Sequence, residues 1–171
     1  MNTDTIAAIA TAVSDSGIGI IRISGDDAIT VADRIYHSKN NKKRLASVKS
    51  HTIHYGYIYD GDELVDEVMV AVMYAPNTYT RENIVEIYCH GGILVMNRIL
   101  EVVLKNGCRL AEPGEFTKRA FLNGRIDLSK AEAVMDLIHS KNEFALKSSV
   151  KQLKGAVSDK VRSMREEILY E

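Results

Sequence analysis

The sequence of 171 residues has few cysteines, almost no net charge and no long apolar run, and each shortage excludes a class of protein. Its two cysteines, Cys89 and Cys108, form no C-x-x-C pair, a pattern that favours reduced thiols over a disulfide framework. The 22 basic residues balance 23 acidic ones, so no overall charge attracts the chain to nucleic acid or to a membrane surface. We therefore expect any such partner to be contacted through a local site.

Membrane, targeting and nucleotide-binding signals are missing as well. No apolar stretch approaches the roughly 18 residues of a membrane helix, and the opening MNTDTIAAIATA lacks the basic and apolar regions of a signal peptide. No G-x-x-x-x-G-K-[ST] motif occurs, and GIGIIRIS departs from G-x-G-x-x-G because Arg22 stands where the last glycine belongs. We expect a cytoplasmic protein with one core and a small appendage, without a nucleotide site in these residues.

Runs of β-branched residues bounded by glycine predict strands in the first half of the chain. GIGIIRIS at 17–24 is typical of a buried strand, and Ser24–Asp27 resembles a capping box that would begin a helix from Asp26 to Tyr36. Residues 37–50 are polar and typical of a loop. The basic cluster of this loop, Lys39–Arg44, is expected to be solvated, with contact to RNA as the alternative.

Further alternating patterns follow this loop. Asp60-Gly61-Asp62 is typical of a hairpin turn, and Tyr55, Tyr57 and Tyr59 share one face of the strand before it. On that face a stabilising tyrosine ladder is favoured over a platform for stacked bases. In chain order, the pattern predicts strands at 51–59, 65–74 and 84–92, a helix at 93–104 and a short strand within CRLAEP.

From Gly114 onward helical patterns replace strands. A short charged helix is expected up to Asn123-Gly124, and Ser129–Glu132 resembles a second capping box. An apolar stripe then predicts one long amphipathic helix, through Leu146, Val150, Leu153, Val157, Val161, Met164 and Ile168. Because a lone helix cannot bury such a stripe, we expect it to pack on a further part of a longer protein or on another subunit.

The strand IVEIYCHGG contains a thiol beside an imidazole, Cys89 and His90, which invites a catalytic interpretation. Adjacent residues of a strand point to opposite faces, so these two side chains diverge and cannot readily act as nucleophile and base. Cys89 shares its face with the apolar Val85, which predicts a buried cysteine. Glu86, Tyr88 and His90 share the other face. The sequence provides no catalytic residue and no metal site.

Two charged residues stand inside apolar strands, Arg22 in GIGIIRIS and Glu86 in IVEIYCHGG. A buried guanidinium needs an anion, and a buried carboxylate needs donors. One interpretation is that the two side chains pair across the sheet. The other is that both line a pocket for a polar planar ligand, because a carboxylate can accept two parallel hydrogen bonds from an amino-pyrimidine edge. Gly91-Gly92 allows a close approach to a ligand or a sharp turn into a helix.

Three blocks stand in suitable order and spacing along nearly the whole chain: GIGIIRISG at 17–25, PNTYTRENIVEIYCHGG at 76–92 and PGEFTKRAFLNGRIDLSKAEAVMDLI at 113–138. In these blocks the sequence resembles the family of tRNA-modifying GTPases called MnmE or TrmE. It departs from that family in ATAVSDSGIG, where members usually have a proline and more glycines. This departure concerns the shape of the first loop.

The resemblance implies an α+β fold in two parts. Residues 1–118 would form a mixed β-sheet domain similar to the tetrahydrofolate domains of aminomethyltransferases, and residues 119–171 the all-α beginning of a central helical domain. In the family, the helical domain continues, hosts an inserted GTPase domain and ends in a C-terminal cysteine motif. The 171 residues contain neither Ras-like motifs nor that cysteine motif. GTP, magnesium and potassium are therefore expected only in the GTPase domain.

The resemblance also implies a function. The first domain of the family binds 5-formyltetrahydrofolate and forms a homodimer. The full protein works with the flavoprotein MnmG to place an aminomethyl-type group on C5 of the wobble uridine of tRNA. The folate contacts fall on Arg22, Glu86 and Arg125, the last of which is commonly lysine in the family. The 171-residue chain alone is not expected to catalyse the reaction. The alternative is a purely structural dimerisation module with an Arg22–Glu86 ion pair and no ligand.

Overall fold

The computed structural model describes residues 4–39, 44–155, 159–160 and 163–166. Contacts along the chain divide it into two compact units, Met1–Phe116 and Thr117–Glu171. The first unit is built on a β-sheet with helices, and the second is helical. The predicted α+β fold with a mixed sheet and a following all-α segment is therefore confirmed.

Within the described residues, seven strands form one sheet in the order β3-β4-β5-β6-β2-β1-β7. Neighbouring strands are antiparallel except β1 and β7, which are parallel, so the sheet is mixed. The hairpin of β4 and β5 turns at Gly61-Asp62, as predicted. The strands are β1 (Ile6–Ile9), β2 (Ser16–Ser24), β3 (Tyr36–Ser38), β4 (Thr52–Asp60), β5 (Glu63–Met73), β6 (Ile84–Gly91) and β7 (Arg109–Leu110).

Two helices, α1 (Ala28–Ile35) and α2 (Ile93–Lys105), cover one face of this sheet. Successive side chains of a strand alternate between faces, so every second residue of the central strands enters the core. The buried cluster formed in this way contains Ile21, Ile23, Val68, Val70, Val72, Val85 and Ile87 from the sheet, and Ile29, Val31, Met96, Ile99, Val102 and Val103 from the helices. The opposite face of the sheet, called the outer face below, carries Ile20, Arg22, Met69, Glu86 and Tyr88.

Both predicted capping boxes are wrong. Helix α1 begins after Asp27 without a side-chain cap, and Thr5 Oγ1 instead accepts the backbone N–H of Asp27 at 3.1 Å. Ser24 belongs to β2. Helix α4 (Leu128–His139) begins after Asp127, whose carboxylate accepts the N–H of Lys130 at 2.8 Å. Aspartate is itself a strong N-cap residue, and its extended backbone suits that position, whereas Ser129, two residues further along, already lies inside the helix.

The segment predicted as a loop at 37–50 contains regular structure. Residues Tyr36–Ser38 form β3, which pairs with β4, and a short 3-10 turn spans Leu45–Ser47. Within the basic cluster, Arg44 Nε donates to Asp33 Oδ2 at 2.7 Å. Residues 40–43 of the cluster lie outside the described residues, and contact between this loop and RNA stays a prediction.

The second unit contains α4 and α5 (Glu143–Leu153), and helix α3 (Glu115–Leu122) includes the division between the units. Helix α5 ends at Leu153, and Gly155 follows with φ of 100°, a conformation that favours glycine and ends helices. The prediction of one long helix is therefore wrong. Of its stripe, Val157, Val161 and Ile168 lie outside the described residues. None of the helices in the described part of the chain has the length and apolar character that a membrane span requires.

Candidate ligand-binding site

Arg22 and Glu86 are direct cross-strand neighbours on β2 and β6. Arg22 donates to Glu86 Oε1 from Nε at 2.8 Å, and its Nη2 lies 2.7 Å from the same oxygen. The two side chains are 29% and 13% exposed, so the pair is partly desolvated and still reachable from the outer face. The ion pair considered as one interpretation of the sequence is therefore present.

Tyr88 fixes the other oxygen of this carboxylate. Its hydroxyl donates to Glu86 Oε2 at 2.8 Å, from a position two residues along the same strand and on the same face. Burial, together with the hydrogen bond to Glu86, raises the pKa of Tyr88 to about 12, so the phenol remains a donor at neutral pH. Both oxygens of Glu86 thus accept hydrogen bonds within the protein.

Two aromatic rings flank the guanidinium of Arg22. The ring centre of Tyr79 lies 5.5 Å from Arg22 Cζ, and that of Phe116 lies 5.6 Å away. These distances are within the range of attractive cation–π contacts. Tyr79 belongs to the 74–83 loop that precedes β6, and Phe116 belongs to α3. The sequence interpretation missed both rings, because no spacing pattern relates them to Arg22.

Short side chains stand on both sides of the ion pair in the same row of the sheet. Ala8 of β1 is paired with Arg22, and Ala71 of β5 is paired with Glu86. Because each charged residue has an alanine as its neighbour, the polar atoms of Arg22 and Glu86 extend further from the sheet than the side chains next to them. The arrangement combines a fixed carboxylate, a guanidinium and two aromatic rings, groups that suit a planar polar ligand with its own anionic or carbonyl oxygen.

Cys89 and His90 lie on opposite faces, as predicted. Cys89 is 5% exposed and packed in the core, and burial raises the pKa of its thiol to about 11, which leaves it protonated and unreactive at neutral pH. His90 Nδ1 lies 2.7 Å from Asp66 Oδ1, and this hydrogen bond raises the pKa of the imidazole. The two residues do not form a thiol–imidazole pair.

The two glycines after His90 allow a close approach of two strands and the start of a helix. Gly91 pairs with Ser16, and a Cβ atom at Gly91 would lie 2.4 Å from the backbone oxygen of Ser16. Gly92 precedes α2 as its N-cap residue, with an extended backbone. The sharp turn into a helix that was considered for this dipeptide is present, and the close approach to a ligand stays a prediction.

Arg125, the third residue predicted to contact folate, lies in the turn between α3 and α4. Its backbone N–H donates to the carbonyl oxygen of Ala120 at 2.9 Å, which closes the end of α3. Its side chain is exposed and belongs to the second unit, whereas Arg22 and Glu86 belong to the first. The structure thus brings two of the three predicted residues together, and a folate contact of Arg125 stays a prediction.

The mixed-sheet domain and the helices that follow it each match a family model. Residues 5–125 match the family described as GTP-binding protein TrmE N-terminus, and residues 128–171 match the MnmE helical domain. These matches define the class of the chain as the N-terminal part of a TrmE-type protein.

Curated relatives match the chain from end to end. It is 61% identical over 171 residues to the tRNA modification GTPase MnmE of Lachnoclostridium phytofermentans, covering 100% of this chain and 37% of that protein. It is 56% identical to the proteins of that name from Listeria innocua and Enterococcus faecalis, covering 99% of this chain and 36% of each relative. The chain belongs to the MnmE family. It spans little more than a third of the length of these relatives.

Proposed function

We propose that residues 1–118 form a folate-binding and dimerising module of a tRNA modification GTPase, and that residues 119–171 begin its helical domain. The observation that supports this function most directly is the partly exposed Arg22–Glu86 pair, whose guanidinium lies within cation–π distance of the rings of Tyr79 and Phe116. The ligand is 5-formyltetrahydrofolate. No catalytic step is assigned to these residues.

The activity of the whole protein follows from the family and is part of the same proposal. The complete chain hydrolyses GTP in the cytoplasm, with magnesium and potassium in its GTPase domain. Together with the flavoprotein MnmG it modifies C5 of the wobble uridine of tRNA. The names of the relatives, tRNA modification GTPase MnmE, support the GTPase activity and the tRNA substrate.

The donors and acceptors around Glu86 fit a pterin, with one condition. A carboxylate has about four lone-pair sites, and two of these on Oε1 face the Nε and Nη2 of Arg22 while one on Oε2 receives the Tyr88 hydroxyl. A pterin edge with two parallel donors needs one site on each oxygen. Glu86 can therefore accept the pterin if at least one of these two Arg22 nitrogens moves away from Oε1, after which the guanidinium can bind the formyl oxygen or the glutamate tail.

Arg125 is proposed as a second cation for the same formyl oxygen or glutamate tail. Its side chain is exposed in the turn between α3 and α4, which supports access to a ligand. Its assignment rests on the family motif LNGRIDL, in which arginine replaces the more common lysine. The positive charge is the same, and the donor geometry differs.

Exposed apolar side chains on the outer face support self-association. Tyr55 and Met69 are paired across β4 and β5 and are 46% and 47% exposed, and Ile53 in the neighbouring row is 61% exposed. Contiguous exposed apolar groups of this kind mark protein interfaces. We therefore assign this patch to the homodimer.

A thermal-shift measurement with and without 5-formyltetrahydrofolate tests the function. A ligand at about 100 times its dissociation constant stabilises the folded state by about 2.7 kcal/mol, which raises the melting temperature by several degrees. The alternative, a purely structural dimerisation module, is favoured by the Arg22–Glu86 hydrogen bonds alone. It predicts no shift at any ligand concentration, and an unshifted melting temperature of the folded dimer would overturn folate binding.

A further inference from the structure

A buried chain of hydrogen bonds connects β2 to the 74–83 loop. Ser24 Oγ donates to Glu82 Oε2 at 2.7 Å and lies 2.7 Å from Thr80 Oγ1. Because the single hydroxyl proton of Ser24 is directed to Glu82, Thr80 must be the donor of the second bond. The side chains of Ser24 and Thr80 are completely buried, so the bond between them is protected from competition with water, whereas the bond to Glu82 is partly buried.

Other polar contacts hold the rest of the loop. Thr78 Oγ1 donates to the carbonyl oxygen of Glu82 at 2.6 Å. Asn83 Oδ1 accepts the N–H of Ala75 at 3.0 Å, and the carbonyl oxygen of Asn83 accepts the N–H of Gly25 at 3.1 Å. The loop contains no helix or strand, yet its side chains replace the missing backbone ladder.

Two members of this chain, Ser24 and Thr80, lie close in sequence to residues of the Arg22 site. Ser24 is two residues after Arg22 on β2, and Thr80 immediately follows Tyr79, the ring that contacts the guanidinium. A displacement of Thr80 therefore moves Tyr79, which forms one wall of the site. We propose that the Thr80–Ser24–Glu82 hydrogen bonds hold Tyr79 against Arg22, and that Thr80 and Ser24 are positioning residues of the folate site. This inference rests on the proposed function.

The positioning role follows from what happens when the Thr80 hydroxyl is absent. If the Thr80 hydroxyl is removed, Ser24 loses a buried donor, and a buried polar group without its partner destabilises the arrangement around it. The loop can recover part of this lost stability by shifting Thr80, and the shift carries Tyr79 away from the cation. Without the ring of Tyr79 beside it, the guanidinium of Arg22 has more conformational freedom. Ligand binding must then restrict this freedom, and the entropy lost in doing so weakens binding.

The experiment compares Thr80→Val, which removes the hydroxyl, with Thr80→Ser, which keeps it. Affinity for 5-formyltetrahydrofolate is measured by calorimetry for each variant of this chain, in the wild-type background and in Tyr79→Ala. We expect Thr80→Val to weaken binding about tenfold, Thr80→Ser to remain close to wild type, and Thr80→Val to cause no further loss when Tyr79 is absent. Equal losses in both backgrounds would overturn the proposal, because Thr80 would then not act through Tyr79.

A second measurement does not depend on folate. Exchange of the Arg22 Nε–H with solvent, followed by nitrogen-15 NMR and assigned with Arg22→Lys, reports how firmly the guanidinium is held against Glu86. Faster exchange in Thr80→Val and wild-type exchange in Thr80→Ser would support the positioning role, whether or not the protein binds folate. If the wild type binds no folate, that result overturns only the proposed function. Unchanged exchange in Thr80→Val would overturn the positioning role.

If Thr80→Val does not fold, Ser24→Ala replaces it, since alanine is smaller than serine and cannot crowd the core. The same pattern of affinities and exchange is expected for Ser24→Ala. Wild-type affinity and wild-type exchange in a folded Ser24→Ala protein would contradict the proposal.

Discussion

Arg22 donates from Nε to Oε1 of Glu86 at 2.8 Å, and its Nη2 lies 2.7 Å from the same oxygen in the ion pair. The other oxygen of the carboxylate is left to a neighbour on its own strand, the hydroxyl of Tyr88. The charge of Glu86 is therefore compensated by a cation across the sheet, and its orientation is fixed by a phenol along the strand.

Tyr88→Phe removes the donor to Glu86 and keeps the ring. We expect the free energy of unfolding to fall by about 1–2 kcal/mol, because a partly buried carboxylate loses a hydrogen bond. Tyr59→Phe is the matched control: its half-buried ring packs against His37, with the ring centres 4.8 Å apart, and the change should stay within about 0.5 kcal/mol. Urea unfolding measures both. Equal losses in the two variants would mean that Tyr88 does not support Glu86.

Gly91→Ala tests the close approach of β6 to β2. A Cβ atom there would lie 2.4 Å from a backbone oxygen that cannot move independently, so we expect a loss of about 1–3 kcal/mol in unfolding free energy. Gly92→Ala is the control, because its Cβ would meet no atom closer than 4.0 Å, and a change below about 1 kcal/mol is expected. A tolerated Gly91→Ala would contradict the register of β2 and β6 at Ser16.

His90 should make stability depend on pH. Its pKa is raised above the ordinary value of 6.5, chiefly by the hydrogen bond to Asp66, so the folded state binds the proton more tightly than the unfolded state. The resulting stabilisation is complete below pH 6.5 and is lost as the pH rises through the raised pKa of the folded state. Relative to His90→Gln, the wild type should therefore be favoured more at low pH than at high pH.

NMR titration of the His90 ring identifies the cause. In Asp66→Asn the imidazole loses its anionic partner, and its pKa should fall toward the ordinary value. The same titration midpoint in wild type and Asp66→Asn would show that another group raises the pKa of His90.

Period-two alternation predicted much of the site. It placed Cys89 in the core and grouped Glu86 with Tyr88 on the opposite face, because alternation is a local property of strands. The pairing of Arg22 with Glu86 was one of two interpretations, since alternation within each strand does not fix how two strands are paired. The rings of Tyr79 and Phe116 were not predictable in this way, since a loop and a helix bring them to Arg22 from distant parts of the chain.

The two capping boxes were mispredicted for a related physical reason, whereas the predicted start of α2 at Ile93 is confirmed. At α1 the backbone is satisfied by Thr5, which precedes the helix by more than twenty residues, so no local motif could show it. At α4 two plausible caps, Asp127 and Ser129, stand close together, and only the backbone conformation distinguishes them. The strand Tyr36–Ser38 is short, and it is specified mainly by its pairing with β4.

Calorimetric titration with 5-formyltetrahydrofolate tests the central claim, that Glu86 and Arg22 form a folate site. The wild-type chain should bind with measurable heat at micromolar concentrations, and Glu86→Gln, which replaces one acceptor oxygen by a donor, should bind at least about tenfold more weakly. His90→Gln, on the same strand and outside the ion pair, should bind like the wild type. No heat of binding in the folded wild-type protein, or the same affinity in Glu86→Gln as in wild type, would contradict the assignment.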